Sequence, residues 1–234
     1  MITAVPTITV ENYIKTLYDQ QQRCDGELVA LGKLATAMNV VPGTVTTMVR
    51  TLSDAGLVRY EPRVGVALTP AGEKLALHVL RRHRLVEQFL VQVLHFDWSE
   101  VHAEAEELEH AISEKMLEKM DAYLGYPTVD PHGDPIPSAS GEIARRELSP
   151  LADCRAGAKV RIARIENQDS AFLSFVTTNG LQPGVEVTVD TADPVAGAMT
   201  VRRADSGTVA LGSAAARVIL VSALVPSPGT PGEG

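Results

Sequence analysis

Residues 39–69 have the sequence NVVPGTVTTMVRTLSDAGLVRYEPRVGVALT, and this stretch decides the fold of the first third of the chain. Pro42 stands at the expected first turn of a helix, and Gly56 is a helix stop signal. Two short apolar runs then flank residues 61–65, which predicts a β-hairpin with Arg63 at its tip. The stretch therefore predicts a helix followed by a hairpin.

Two further helices are predicted before this stretch, because apolar residues recur there at helical spacing. Their apolar positions are Val10, Ile14, Leu17 and Tyr18, and then Leu28, Leu31, Leu34 and Ala35. Three helices and a hairpin, in this order, form a winged helix-turn-helix, which inserts its third helix into the major groove of DNA. We predict such a domain over residues 1–75, although the same pattern also occurs in modules that bind other proteins.

The exposed side chains of the third helix and the hairpin tip are the candidate DNA contacts. Small polar groups and arginines can reach phosphates and base edges. The predicted contacts are Pro42, Gly43, Thr44, Thr46, Thr47, Arg50 and Arg63.

The net charge of -8 argues at first against a nucleic-acid partner, but the acidic residues are unevenly distributed. Fourteen of the 29 acidic residues lie in residues 76–150, whereas residues 1–75 hold equal numbers of acidic and basic residues. The neutral first third can approach DNA, and the acidic middle third is suited to a cation.

Residues 76–149 are predicted to form a helical domain with two long amphipathic helices, which suits a dimer interface. The string HAEAEELEH at residues 102–110 concentrates imidazoles and carboxylates. At about 100° per residue, His102, Glu106, Glu109 and His110 fall within an arc of roughly 100° beside the apolar stripe. On the preceding helix, the i, i+4 pair His83 and Glu87 shares a face.

Such an oxygen-rich set with imidazoles suits Mn(II) or Fe(II) better than a thiolate-preferring metal. A solvated helix face is the ordinary alternative for any single pair of this kind. A metallohydrolase could use the same residue types, but it would also need a base or an oxyanion donor, and no motif supplies one. We therefore expect no catalytic residues and no enzymatic activity.

Residues 150–225 contain alternating apolar runs separated by turn residues, which predicts a small all-β domain, most simply a five-stranded barrel or sandwich. The Pro- and Gly-rich residues 226–234 are expected to be disordered. No stretch approaches the roughly 18 to 20 apolar residues of a membrane span, so we expect a cytoplasmic protein with no membrane partner.

Several motifs resemble those of the diphtheria toxin repressor and manganese transport regulator family, over nearly the whole chain. They include ENYIKTLY at residues 11–18, VTTMV at 45–49, LTPAG at 68–72, RHRL at 82–85, EELEH at 106–110 and DPHGDPIP at 130–137. The resemblance implies a mainly α protein with three parts: a winged helix-turn-helix, a helical dimerisation domain and a Src-homology-like β-barrel.

The resemblance also implies two metal sites. The primary, activating site would use Asn12, Glu106, Glu109 and His110, and an ancillary site would use His83, Glu87, His102 and Asp169. Asn12 stands where members of the family have Asp or Met, and Lys15 stands where some manganese regulators have a second carboxylate.

The implied function is a homodimeric repressor that binds a palindromic operator in double-stranded DNA when Mn(II) or Fe(II) is plentiful and so controls metal-uptake genes. A winged-helix regulator of an organic or redox signal, or less plausibly a metallohydrolase, is the alternative. Glu106 stands where iron-type members have Cys, so the resemblance favours manganese.

Overall fold

The computed structural model describes residues 7–24, 27–193, 195–205 and 207–224. The chain divides into two compact units, each with its own hydrophobic core. The first unit contains the chain up to Val86 together with Ala105–Tyr123 and Ile136–Ala144. The second contains Glu87–Glu104, Leu124–Pro135 and the chain from Arg145 onward.

The first unit begins with the predicted three helices and hairpin. The elements are α1 (Ile8–Gln22), α2 (Leu31–Ala37), α3 (Pro42–Asp54), β1 (Val58–Glu61) and β2 (Gly65–Leu68), with β1 and β2 antiparallel. Ile14 and Leu17 of α1 pack in the core with Val45 and Val49 of α3, and all four are fully buried. The predicted order of elements is therefore confirmed.

Local signals at the ends of α3 act as the sequence predicts. Pro42 occupies its first turn, where no backbone N–H is needed. Gly56 has a φ of +72°, and the following Leu57 N–H donates to the carbonyl of Leu52 at 2.9 Å, which closes the helix end. Arg63, in the hairpin loop, is exposed and has a φ of +67°.

Three helices follow the hairpin: α4 (Pro70–Leu94), α5 (Val101–Leu108) and α6 (Glu114–Tyr123). The Thr69 hydroxyl accepts the Gly72 N–H at 3.2 Å and caps α4. Ser99 does not cap α5: its N–H and hydroxyl donate to Oδ1 of Asp97 in the preceding turn, at 2.8 and 2.6 Å. These hydrogen bonds stabilise the carboxylate and lower the pKa of Asp97.

The second unit contains an antiparallel sheet of six strands. They are β3 (Ser149–Pro150), β4 (Lys159–Ile165), β5 (Glu186–Asp193), β6 (Ala198–Arg203), β7 (Thr208–Gly212) and β8 (Ile219–Ala223), in the order β3-β8-β4-β5-β6-β7. Helices α7 (Ser170–Thr178) and α8 (Ser213–Arg217) and a 3₁₀ turn at Leu151–Asp153 complete it. The sheet core includes Ile162, Val189, Val201 and Ile219.

Two parts of the β-domain prediction need correction. The sheet has six strands, and among the described residues its order starts at β3 and ends at β7, so a closed five-stranded barrel is not what the structure describes. The unit is also not all β, because Leu173 and Val176 give α7 a buried face at helical spacing. The tail predicted to be disordered, residues 226–234, lies outside the described residues.

Candidate metal centre and DNA-binding surface

Helix α1 carries three polar side chains into the first unit, from Glu11, Asn12 and Lys15. Glu11 and Lys15 are buried, at 6% and 7% exposure, which is unusual for charged residues without partners. The amide oxygen Oδ1 of Asn12 is buried and has no hydrogen-bond partner among the described residues. Buried carbonyl oxygens in proteins are normally satisfied by a donor, an ordered water or a bound ion, so Asn12 Oδ1 is a candidate ligand atom.

Glu109 is at the centre of this cluster and is completely buried. Lys15 Nζ lies 2.7 Å from its Oε1, and His83 Nδ1 lies 2.6 Å from its Oε2. Burial by itself raises the pKa of Glu109, but the hydrogen bond from His83 and the ammonium of Lys15 outweigh burial, so the pKa is lowered. Glu109 is therefore an ionised carboxylate in the core of the first unit.

Glu106 stands at the rim of the same cluster, with a side chain that is 36% exposed. Its Oε1 accepts from Lys15 Nζ at 2.7 Å and lies 4.0 Å from His83 Nδ1. Because α5 ends at Leu108, Glu109 lies in the turn that follows while Glu106 is still on the helix. The helix end thus directs both carboxylates toward α1.

His110 has one ring nitrogen held by protein and one without a hydrogen bond. Nδ1 lies 2.7 Å from Oε2 of Glu11, whose other oxygen accepts from Arg82. Nε2 is buried, has no hydrogen-bond partner among the described residues, and lies 3.3 Å from Oε1 of Glu109. If Nδ1 donates to the carboxylate, Nε2 carries the lone pair, which is the usual arrangement of a histidine that binds a metal.

The second unit has a separate cluster around Glu87, and sequence reasoning missed most of it. Ligand atoms of Glu87, Asp130 and His132 all lie within 4.8 Å of one another, and all three residues are buried. The His132 ring packs against Trp98, with ring centroids 5.4 Å apart, and its Nε2 lies 2.9 Å from the Trp98 carbonyl oxygen. His102 Nδ1 lies 3.1 Å from Oε1 of Glu87.

The buried imidazole in this second cluster is held next to carboxylates. Burial lowers the pKa of His132, but Glu87, Asp130 and the Trp98 carbonyl together outweigh it, so the pKa is raised. Nδ1 lies 3.7 Å from Oε2 of Glu87, beyond hydrogen-bond distance, so the attraction is that of an ion pair. The neighbouring carboxylates therefore stabilise the protonated, positively charged form of His132.

Asp130 is held by the turn that contains it. Its Oδ1 accepts from the N–H groups of His132 at 2.8 Å and Asp134 at 3.0 Å. These bonds come from the spacing of the DPHGD motif, so the motif itself indicated a tight acidic turn. What the sequence did not indicate is that the turn packs against α4 at Glu87.

The ligands that the resemblance implies for the ancillary site are divided between the two units. His83 belongs to the first unit, whereas Glu87, His102 and Asp169 belong to the second. Asp169 is the N-cap of α7, where its Oδ1 accepts from the N–H groups of Ala171 and Phe172. It is exposed, and it is not a member of the cluster of potential ligands that the described residues form around Glu87.

The predicted DNA contacts lie on α3 and in the hairpin loop. Pro42, Gly43, Thr44, Thr47 and Arg50 are exposed on α3 and Thr46 is half-buried. The Thr46 and Thr47 hydroxyls donate to the carbonyls of Pro42 and Gly43 at 3.0 and 3.1 Å. Such hydroxyls remain able to accept a further hydrogen bond.

Comparison with known proteins identifies the chain. Residues 7–66 match the family model described as "Iron dependent repressor, N-terminal DNA binding domain", residues 69–138 match its metal binding and dimerisation domain, and residues 149–223 match the FeoA domain. The chain is 30% identical over 196 residues to the iron-dependent repressor IdeR of Mycobacterium leprae, covering 79% of this chain and 84% of that protein. The chain belongs to the iron-dependent repressor family.

The chain also resembles a further regulator and a solved structure whose title names manganese. The HTH-type transcriptional regulator MntR of Lysinibacillus sphaericus is 32% identical, over 50% of this chain and 81% of its own. A solved structure titled "Manganese-dependent transcriptional repressor complex with manganese" has a TM-score of 0.82 and 38% identity, covering 92% of this chain and all of that one. Proteins named for iron and proteins named for manganese thus both resemble this chain.

Membership of the iron-dependent repressor family confirms several predictions. The three-part architecture is that of the family, with a DNA-binding domain, a helical dimerisation domain and a FeoA domain. The family consists of metal-dependent DNA-binding regulators rather than enzymes, so the metallohydrolase alternative is not supported. No helix among the described residues is long and apolar enough to cross a membrane.

Proposed function

We propose that this protein is a cytoplasmic, homodimeric transcriptional repressor that binds a palindromic operator when Mn(II) or Fe(II) occupies the cluster around Glu109. The single observation that carries the proposal is a pair of buried atoms without hydrogen bonds among the described residues, Asn12 Oδ1 and His110 Nε2, beside the buried carboxylate of Glu109. Metal-uptake genes are the proposed targets.

Asn12, Glu106, Glu109 and His110 are the proposed ligands of the activating ion. One amide oxygen, two carboxylates and one imidazole form a hard, oxygen-rich set that suits Mn(II) and Fe(II). The ion would supply a divalent positive charge that the amide oxygen and the two carboxylates can share. The Glu11 carboxylate, itself held by Arg82, would keep the His110 ring oriented for binding.

The proposed ligands connect two segments that matter for DNA binding. Asn12 lies on α1, which packs with α3 in one core, and the other ligands lie at the end of α5 in the same unit. An ion that binds both segments favours the conformation in which they are held together. Differential binding to that conformation would couple metal to DNA affinity.

We further propose that Glu87 is the centre of the second, ancillary site. The resemblance suggests His83, His102 and Asp169 as its companions. The geometry of the second unit favours Asp130 and His132 together with His102, because their donor atoms converge on the Glu87 carboxylate. His132 fits the role, since its Nε2–H is directed to a backbone carbonyl, which leaves Nδ1 toward the cluster.

We propose that the predicted contact residues of α3 and Arg63 of the hairpin bind DNA. We also propose three domains, at residues 1–75, 76–149 and 150–225. A dimer with two such helices suits a palindromic site, because the symmetry of the protein then matches that of the DNA.

The deciding experiment is fluorescence anisotropy of a labelled duplex from the upstream region of the gene, with chelator, Mn(II) or anaerobic Fe(II). Specific binding should require metal. Glu106→Ala should lose metal activation, whereas Glu107→Ala, on the exposed face of the same helix, should titrate like wild type. Equal affinity with and without metal would contradict the proposal and favour a regulator of another signal.

A further inference from the structure

Trp98 connects the cluster around Glu87 to helix α7. It is the single tryptophan of the chain, it is buried, and it lies in the segment between α4 and α5. Its backbone carbonyl and its ring both contact His132, while its indole Nε1–H donates to Oγ1 of Thr177 on α7 at 2.6 Å. We propose that Trp98 is a positioning residue through which α7 keeps the His132 ring in place for metal binding.

Two contacts with Trp98 define the orientation of the His132 ring. Its Nε2 lies 2.9 Å from the Trp98 carbonyl oxygen, and the two rings stack with their planes 24° apart. The first contact fixes the direction of Nε2 and the second fixes the plane of the imidazole. Nδ1 is thereby kept on the side of Glu87, 3.7 Å from its Oε2. A partner at the second ring nitrogen is the usual way in which a histidine ligand is oriented.

Helix α7 holds the segment that carries Trp98 at two points. Near the start of the helix, the Ser170 hydroxyl donates to the carbonyl of Ser99 at 2.9 Å. Near its end, Thr177 accepts the indole N–H of Trp98. These two residues are seven positions apart, which is about two helical turns, so they lie on the same face of α7. The segment is therefore fixed along one face of this helix.

The effect on metal binding follows from the Thr177 hydrogen bond. Apparent affinity falls with the fraction of molecules in which the ligands are correctly arranged. Thr177→Val keeps the shape of the side chain and removes the acceptor, so the Trp98 segment and with it the His132 ring become less restricted. Mn(II) binding at the Glu87 cluster should weaken roughly two- to tenfold, the range that corresponds to one hydrogen bond. Thr177→Ser retains a hydroxyl and should restore binding.

The test is a Mn(II) titration of the full-length Glu106→Ala chain, in which the proposed first site is lost. Free Mn(II) is followed by electron paramagnetic resonance, and Trp98 fluorescence is followed in parallel because paramagnetic Mn(II) quenches a nearby indole. Thr177→Val should have a higher midpoint in both signals. Thr178→Val is the matched control, since Thr178 is also exposed on α7 and its hydroxyl donates to the Ser174 carbonyl. The control and Thr177→Ser should titrate like the Glu106→Ala parent.

A parental Mn(II) midpoint in Thr177→Val would overturn the inference, even if the variant unfolds at lower urea concentration, because the hydrogen bond would then contribute to stability alone. Equal weakening in Thr178→Val would overturn it as well. The inference rests on the proposed ancillary site, and the two fail differently. If His132→Gln in the same background binds as much Mn(II) as the parent, the ancillary site is wrong. If it binds less while Thr177→Val titrates like the parent, only the role of Trp98 is wrong.

Discussion

At the scale of single residues, the carboxylates proposed to bind the ion in the first unit differ in exposure. Glu106 is the most accessible of its carboxylates, at 36% side-chain exposure, whereas Glu109 is completely buried. A substitution at Glu106 can therefore change the chemistry of the site with little repacking, while one at Glu109 leaves Lys15 and His83 without their shared partner. Substitutions at Glu106 therefore test metal preference, and substitutions at Glu109 test whether the cluster stays intact.

Glu106→Cys should shift the metal preference. A thiolate favours Fe(II), Co(II) and Zn(II) over Mn(II), so half-maximal DNA binding should move to lower concentrations of those ions relative to Mn(II). The measurement is operator binding during parallel metal titrations, with Glu107→Cys as the control for a new exposed thiol. An unchanged order of metals would show that Glu106 does not set the preference.

His132 should make the metal-free protein less stable at alkaline pH. Its pKa is raised in the folded protein, so its stabilising charge is fully present below the unfolded value of about 6.5 and is lost as the pH rises through the folded value. The free energy of unfolding in chelator should therefore fall from pH 6 to pH 8.5. In urea titrations, the free energy of unfolding of His132→Gln should not show this fall with pH. A pH profile that is the same in the variant and in wild type would show that His132 does not carry the stabilising charge.

At the scale of elements, local signals predicted the first unit well. Pro42 and Gly56 act through their own backbone geometry and Thr69 acts through its own hydroxyl, so their effects are visible in sequence. The second cluster could not be predicted in the same way, because Glu87 and His132 meet only through tertiary packing. A serine shortly before a helix is a common cap in sequence, but Ser99 instead donates to a nearby carboxylate, Asp97.

Arg50 on helix α3 is the residue at which the proposed DNA contact can be tested. Arg50 is exposed on the face that carries the other candidate contacts, so Arg50→Ala should cost roughly 1 to 3 kcal/mol of operator binding if the arginine reaches a base. Lys119→Ala on α6, which is equally exposed and removes the same charge, serves as the matched control. If both variants bind alike, and with the wild-type salt dependence, Arg50 is not a contact.

The turn that carries Asp130 and His132 depends on Gly133. Gly133 has a φ of +88°, and an added Cβ would lie 2.0 Å from the Ala163 carbonyl oxygen. Gly133→Ala should therefore destabilise the second unit by more than the roughly 1 to 3 kcal/mol that backbone strain alone costs. Gly157→Ala, at a φ of +86° with no atom within 4 Å of its Cβ, isolates the strain from the clash. Equal losses in urea unfolding would show that the close packing at Gly133 contributes nothing.

At the scale of the whole molecule, the two proposed sets of ligands are divided between the two compact units. The ligands proposed for the first site all belong to one unit, and Glu87, His102, Asp130 and His132 all belong to the other. The two sites therefore share no ligand, although α4 runs through both units. Sites that do not interact contribute additively to the stability of the whole chain, whereas coupled sites do not.

Mn(II) should consequently stabilise the chain in two separable increments. A ligand that binds only the folded state adds about 2.7 kcal/mol when its concentration is 100 times its dissociation constant. Calorimetry with and without Mn(II) should give two increments in wild type, one in Glu106→Ala and one in His132→Gln, and none in the double variant. Because each substitution removes ligands from a single unit, the increments lost in the single variants should sum to the wild-type effect. If either single variant abolishes the whole effect, the ions are coupled and the assignment of one site to each unit is wrong.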